Sequence, residues 1–198
     1  DLHKAIRRQR QMCIRDRKGI VINSDFKRYS IRLNLDRKIF KNFSVGTHMT
    51  ASHTISNSVA TDTGGEDGTI SGALRMNPIQ PVYEDELTGA YTQINVPGIL
   101  VPNPVATAKE RKFNNATSRL LGDIYAQWEI IPDLKLKVSL GADVMYHKTN
   151  RYTPSNIYQS GGVASAYVGV NKSINWLNEN TLTWNLSLIH ISEPTRLA

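Results

Sequence analysis

The sequence has 198 residues, a formal net charge of +7 and a single cysteine. One cysteine cannot form a disulfide within the chain, and it does not make a cysteine-based metal site. No signal-peptide pattern and no run of about 18 apolar residues occurs, so the sequence predicts no transmembrane helix.

Both ends of the chain are predicted to be foreign to the protein. A DNA sequence can be written that encodes residues 12–17. Its reverse complement, translated in a shifted reading frame, encodes residues 186–191. Both stretches resemble the adapters that transposases insert during DNA library preparation. We therefore expect residues 1–17 and 186–198 to be adapter-derived or unassigned tails, and we base the fold argument on residues 18–185. Unrelated codons at these two places in the source DNA would refute this origin.

Removing the tails changes the interpretation of the charge. Residues 18–185 contain 17 basic and 14 acidic side chains, a net charge of only +3. The arginines that would suggest a nucleic-acid-binding arm lie within residues 7–17. We therefore expect no nucleic-acid partner.

The first part of the native segment predicts a β-hairpin. Residues 18–23 are typical of the end of a strand, and residues 28–36 and 43–54 alternate between apolar and polar side chains. Side chains on a strand point alternately to opposite faces, so each run has one apolar face. Residues 55–118 lack strand periodicity and are rich in glycine and proline, apart from one or two possible helical turns at residues 70–76. A connection of this length is functional or disordered.

A longer hairpin is predicted for residues 119–147, with a turn at Ile131, Pro132 and Asp133. Its second strand keeps the alternation from Leu134 to Tyr146, whereas strands of soluble proteins usually have about 5–6 residues. This strand would cover about 30 Å, enough for the apolar band of an outer-membrane barrel. Residues 148–173 follow as a second long connection, and residues 174–185 are predicted to form the last strand.

The connections predict the fold class. Short turns and long connections alternate, which places all long loops on one side of an up-and-down meander, as in outer-membrane barrels. We therefore predict an all-β fragment of a transmembrane antiparallel barrel, an open curved meander of about five strands with long loops. The alternative is a secreted β-sandwich carbohydrate-binding module, which needs two packed sheets.

No catalytic or metal-binding constellation is found. Asp62, Thr63 and Gly64 match the aspartic-protease tripeptide but have the neighbours of a loop. His48 and His53 are five positions apart, on opposite faces of the expected strand, and are not a metal pair. We therefore expect no enzyme, no catalytic residue, no metal site and no cofactor. A barrel enzyme is a weaker alternative that would need a Ser/His/Asp cluster at a strand rim.

The loop tyrosines are the candidates for ligand binding. A tyrosine ring offers a flat apolar face and a polar tip, which suits sugars and peptides. Packing within the loop explains any single tyrosine more readily. The candidates are Tyr83, Tyr91, Tyr152 and Tyr158.

Three stretches of the chain resemble SusC/RagA-type TonB-linked outer-membrane transporters. Residues 26–36 with 42–46 are similar to an early barrel hairpin of that family. Residues 74–83, followed by Asn103 and Pro104, are similar to its extracellular-loop signature. Residues 176–185 are similar to its recurrent strand that ends in an aromatic–Asn pair.

The resemblance implies that residues 18–185 are part of a barrel of about 22 strands with an amino-terminal plug. It also implies residence in the bacterial outer membrane, in contact with its lipid. The implied partners are a SusD-like surface lipoprotein and the TonB complex, and the implied cargo is an oligosaccharide or a peptide. The plug, the TonB-contacting segment and most strands are missing, so we expect the chain by itself to transport nothing.

Overall fold

A computed structural model of the chain describes residues 6–59, 68–96, 99–157 and 162–185. Its main feature is one six-stranded antiparallel sheet. The strands stand in the spatial order β1 (Ile6–Lys18), β2 (Asp25–Phe40), β3 (Phe43–Asn57), β8 (Lys112–Ile131), β9 (Leu134–Thr153) and β10 (Ser165–Trp184).

The long connection between β3 and β8 contains smaller elements. They form two short hairpins and two helices. In chain order these are α1 (Thr69–Arg75), β4 (Tyr83–Asp85), β5 (Ala90–Tyr91), β6 (Ile94–Val96), β7 (Ile99–Val101) and α2 (Pro104–Glu110).

The two predicted hairpins are present, with the predicted short turns. β2 and β3 are joined by residues 41–42, and β8 and β9 by Pro132 and Asp133. Asp133 has a positive φ of 68°. Aspartate tolerates this left-handed conformation better than most residues, so it suits a tight turn. The all-β fold class, with an open sheet in meander order, is confirmed.

The strands are longer than the alternation predicted. β3 continues to Asn57 and β8 begins at Lys112, both inside the segment expected to lack strands. Likewise, β9 runs to Thr153 and β10 begins at Ser165, so the connection expected at residues 148–173 is shorter. The extensions of β8 and β9 are rich in Asn, Thr and Lys, so they carry no clear apolar alternation. The extension of β10 does alternate, with Ala166, Val168 and Val170 on the same face as Ile174 and Trp176.

Residues 6–18 form the edge strand β1, which pairs with β2 at 13 positions. They were expected to be a foreign tail, and with them the sheet has six strands instead of the expected five or so. Edge pairing uses backbone groups and does not require particular side chains. The pairing of β1 therefore does not test the foreign origin proposed for residues 7–17, which stays a prediction that the source DNA can check. The segment 186–198 lies outside the described residues.

Apart from Gly46 on β3, the buried residues of the described structure lie around the long loops. Ala106 and Ala108 of α2 are buried together with Val101 before it. Gly72 lets α1 approach α2 closely, because a Cβ there would lie 3.2 Å from the carbonyl oxygen of Pro102. No second sheet covers the six-stranded one within the described ranges.

Asn103 holds the loop elements together. Its side-chain oxygen accepts hydrogen bonds from the backbone N–H groups of Val105 and Ala106, and so caps α2. Its amide nitrogen donates to the carbonyl oxygens of Val82, at 2.8 Å, and Thr92, at 3.1 Å. One buried side chain thus joins the start of α2 to the segments around β4 and β5.

We expect the chain to aggregate in water when it is produced alone. Its outer strands leave backbone N–H and C=O groups unpaired, and such edges template association. Sedimentation with and without detergent measures this. Oligomers that dissociate only in detergent are expected, whereas a soluble monomer with one sharp thermal transition would contradict the fold described here.

Candidate functional site

One face of the sheet carries an apolar band between two aromatic rows. Cross-strand register places the aromatic residues at two levels, one near the long connections and one near the short turns. Aromatic rings with a polar edge favour the boundary between an apolar layer and water. The row near the long connections contains Tyr29, His53 and Tyr146. The row near the short turns contains Phe43 and Trp128, and Trp184 lies two residues further towards the turns, opposite Leu134.

The distance between the rows matches a membrane. Leu136, the cross-strand partner of Trp128, and Tyr146 are separated by ten residues on β9. At about 3.3 Å per residue this is roughly 33 Å along the strand. A strand tilt of about 40° reduces it to about 25 Å along the membrane normal, which is the height of the apolar band in outer-membrane barrels.

Most side chains between the rows are apolar, and several of them are largely exposed. Leu140 is 57% exposed, Ile124 65% and Trp176 79%. Asn178 and Asn180 of β10 interrupt this face next to Leu140 and Val138. We call the face the outward face, because only a surrounding apolar medium would bury it.

The opposite, inward face carries a polar cluster. His48 lies between two carboxylates, with its Nδ1 3.1 Å from Asp123 Oδ2 and its Nε2 3.6 Å from Asp36 Oδ1. The hydroxyl of Tyr125 donates to Asp36 Oδ1 at 2.7 Å. The ammonium group of Lys137 lies over the Tyr125 ring, 4.9 Å from its centroid. Each carboxylate therefore has a donor or a cation beside it.

Gly46 makes room for this cluster. It stands directly opposite Asp36 on β2 and Tyr125 on β8. A Cβ at Gly46 would collide with both the Asp36 carboxylate and the Tyr125 ring. The Tyr125 ring thus occupies the space that a side chain at position 46 would take. Aromatic cover of a strand glycine is a known way to fix register and curvature.

A second pair on the inward face lies one strand further along. Arg119 donates two hydrogen bonds to Asp143, at 2.8 Å and 2.6 Å. This bidentate pair joins β8 to β9. No group of three His, Cys, Asp or Glu side chains suited to a metal ion exists in the parts of the chain that the structure describes. The inward face therefore offers paired charges that water can solvate.

The structure brings two of the four candidate tyrosines together. The rings of Tyr83 and Tyr91 stack with centroids 5.2 Å apart. The Lys109 ammonium donates to the Tyr83 hydroxyl at 3.1 Å, and the Tyr91 hydroxyl donates to Glu110 Oε1 at 3.0 Å. Burial, followed by this bond to Glu110, raises the pKa of Tyr91 to about 12, so its hydroxyl remains a donor at neutral pH.

A tight turn positions the pair. The carboxylate of Asp85 accepts hydrogen bonds from the Leu87 N–H and the Thr88 hydroxyl, and these bonds lower the Asp85 pKa. Gly89 closes the turn at a φ of +68°, where a side chain would be strained. The turn folds β5 back on β4 and places Tyr91 opposite Tyr83.

The other two candidate tyrosines are not part of this pair. Tyr152 lies on β9, opposite Lys112 of β8 and six positions beyond Tyr146. Tyr158 lies outside the described residues. The described helices include none that is long and apolar enough to cross a membrane.

Sequence reasoning missed the polar cluster. His48 was compared only with His53 as a metal pair, and the carboxylates on neighbouring strands were not considered. The short turn between β2 and β3 already puts Asp36 opposite Gly46 and hence diagonal to His48. Asp123 could not be placed, because the β3–β8 register spans the long loop.

Curated relatives of the chain were found by sequence, although no family model matches it. TonB-dependent receptor P3 of Formosa agariphila is 33% identical over 174 residues, which are 85% of this chain and 17% of that receptor. TonB-dependent receptor SusC of Bacteroides thetaiotaomicron is 29% identical over 197 residues, 89% of this chain and 18% of the receptor. The chain thus spans less than a fifth of the length of the curated relatives it matches.

Solved structures show the same fold. The RagAB peptide transporter aligns with a TM-score of 0.71 at 20% identity, over 92% of this chain and 21% of that chain. The RagAB peptide importer in its open-open state aligns with a TM-score of 0.72 at 21% identity, over 93% of this chain and 21% of that chain.

The open meander with its exposed apolar band is therefore part of the wall of a transmembrane antiparallel β-barrel. The sequence relatives identify this wall as a fragment of the SusC/RagA type of TonB-dependent receptor. The matched proteins are receptors and transporters, which agrees with the expectation that the chain is not an enzyme.

An arginine in the middle of the outward face should destabilise the complete barrel. Leu140 lies about midway between the aromatic rows, so Leu140→Arg places a charge near the bilayer centre at a cost of about 2–4 kcal/mol. Ser139→Arg is the matched control, one residue away on the inward face. Guanidinium unfolding in detergent or lipid measures the difference, and equal losses for both variants would contradict the assignment of the faces.

Gly46→Val should displace the Tyr125 ring and break its bond to Asp36. Overpacking of this kind costs about 1–3 kcal/mol, and the temperature at which the folded barrel unfolds in detergent should fall. Gly141→Ala is the control, because a Cβ there would meet Leu177 Cβ at 3.7 Å, an ordinary contact. A Gly46→Val barrel as heat-stable as the Gly141→Ala barrel would show that the ring is free to move aside.

Proposed function

We propose that the chain is part of the wall of a bacterial outer-membrane, TonB-dependent transporter that imports oligosaccharides or peptides. The observation that carries the proposal is the apolar band of about 25 Å between two aromatic rows on an otherwise uncovered sheet. In this proposal the outward face meets outer-membrane lipid, and the polar cluster around His48 meets the aqueous interior. The chain alone, with open strand edges, transports nothing.

The proposed partners follow from the relatives. A receptor of the SusC type would act with a SusD-like surface lipoprotein and receive energy through the TonB complex. RagAB is a peptide transporter, and this supports a peptide as one of the two proposed kinds of cargo. The loop elements between β3 and β8 stand at the end of the wall where lipoprotein and cargo would meet the barrel.

The alternative of a secreted β-sandwich loses its structural basis. A sandwich buries its apolar face against a second sheet. The main sheet has no such layer within the described residues, and the two small sheets belong to the loop. Leu140 and Trp176 remain largely exposed as a consequence.

We further propose that the stacked pair of Tyr83 and Tyr91 contacts the cargo. One face of the Tyr83 ring stacks on Tyr91, and the Tyr83 hydroxyl accepts a hydrogen bond from Lys109. The ring is therefore held in place before a ligand arrives. A preformed aromatic face lowers the entropic cost of binding a sugar ring or a peptide side chain. Tyr152 and Tyr158 are weaker candidates for the same role.

Transport by the complete receptor tests the proposal. Cells that carry it should take up labelled oligosaccharide or peptide, and deletion of TonB should abolish uptake. Tyr83→Ala should weaken cargo affinity by about two- to tenfold, the value of one aromatic contact. Tyr83→Phe, which keeps the ring, should remain close to the unmodified receptor. Uptake that persists without TonB contradicts the proposed transport, whereas unchanged affinity in Tyr83→Ala contradicts only the role of the tyrosine.

A further inference from the structure

A polar depression lies where the end of α2 meets the start of β2, the end of β3 and the start of β8. Its volume is about 320 Å³. Three basic side chains line the depression. Lys109 lies in the last turn of α2, Arg111 directly follows that helix, and Lys112 begins β8. Neither the tyrosine pair nor the polar cluster of the inward face belongs to it.

The depression has a fixed height relative to the apolar band. Asp25, Asn57 and Asn114 line it and form one cross-strand row. Strand alternation puts this row on the outward face, four residues beyond the row of Tyr29. Four residues correspond to about 13 Å along a strand and roughly 10 Å along the membrane normal. If the wall spans the membrane as proposed above, the depression stands at the depth of the outer-leaflet headgroups.

The depression is held in shape by hydrogen bonds among its own polar residues. Asn114 Nδ2 donates to Asn57 Oδ1, and Asn57 Nδ2 donates to Asp25 Oδ1, both at 2.7 Å. Asn23 Nδ2 donates to the carbonyl oxygen of Ala108 at 3.1 Å and so ties α2 to the turn before β2. Fixed walls of this kind reduce the cost of ordering a ligand.

The basic groups are only partly matched. Arg111 Nη1 is buried and has no hydrogen-bond partner among the described residues. Glu110 accepts a hydrogen bond from Tyr91, and Asp25, the one acid among the described residues that line the depression, accepts one from Asn57. Three basic side chains and one carboxylate leave the depression with a net positive charge. A buried donor without an acceptor is costly, and an incoming anion would remove that cost. Guanidinium groups favour the planar, bidentate geometry of phosphate oxygens.

The surroundings favour a lipid as the source of the anion. Lys27 of β2 and Lys148 of β9 lie in one outward-facing row, two residues beyond Tyr29 and Tyr146. The two lysines stand at the ends of this row, with Ile55 and Ala116 between them, and add positive charge just above the apolar band. A soluble anion would gain nothing from that height, whereas a headgroup whose acyl chains cover the apolar band arrives there directly.

We propose that this depression binds the phosphate group of an outer-leaflet glycolipid through Arg111 and Lys112, with Lys109 at its margin. The inference rests on the proposed membrane location but is separate from transport. It assigns the outward loop rim a lipid-binding role and leaves the cargo to the tyrosine pair.

Binding of lipid A to the complete receptor, measured by native mass spectrometry in detergent, tests the proposal. Phosphorylated lipid A should bind, and enzymatically dephosphorylated lipid A should bind at least about tenfold more weakly, since a bond between charged groups is worth about 1.5–3 kcal/mol in general. Arg111→Gln with Lys112→Gln should cause a similar loss. Lys112→Gln alone changes an exposed side chain and should give a smaller loss without affecting folding. Lys148→Gln is the matched control and should change binding by less than about threefold.

The outcomes separate this inference from its basis. Equal binding of both lipids, or unchanged affinity in the double and single variants, overturns the phosphate site. Competition by millimolar inorganic phosphate would also overturn it, because the site would then serve a free anion. Urea extraction of the receptor from the outer membrane is measured first, before any lipid is added. A receptor released by urea would contradict the proposed membrane location.

Discussion

The sheet can be stable only if something covers its outward face. Leu140, Ile124 and Trp176 lie on that face and are more than half exposed, although they stand in the middle of a regular sheet. Apolar area left in water costs about 25 cal/mol per Å². A face of this extent therefore needs a covering layer. The two aromatic rows set the thickness of that layer at about 25 Å, which is the thickness of hydrocarbon that lipid provides.

The same environment places a demand on the backbone. In hydrocarbon each N–H and C=O group must have a partner, so a membrane sheet has to close on itself. β2, β3, β8 and β9 have neighbours on both sides, whereas β1 and β10 have one each. The curated relatives are several times longer than the chain, since the matched part is 17% of the first of them. Length and unpaired edges thus agree that this wall depends on strands that other parts of such a receptor contribute.

Alternation along the strands was sufficient to predict the meander, the turn at Asp133 and the apolar face of β9. It failed at the polar extensions of β8 and β9, because mainly polar side chains on both faces leave no alternation to detect. The stacking of Tyr83 on Tyr91 was also beyond it, since that contact depends on the turn that Asp85 and Gly89 form. Local turn chemistry of this kind is visible in the sequence, but the partner that it selects is not.

The β3–β8 register is the information that the sequence alone lacks. It brings Asp123 to His48 and Tyr125 over Gly46, and it lines up Asn57 with Asn114 in the basic depression. A shift by one residue would exchange the two faces and is excluded by the apolar pattern. Shifts by two residues keep the faces but separate Phe43 from Trp128. The loop between β3 and β8 does not specify which of these registers forms, and the polar cluster on the inward face depends on the one that does.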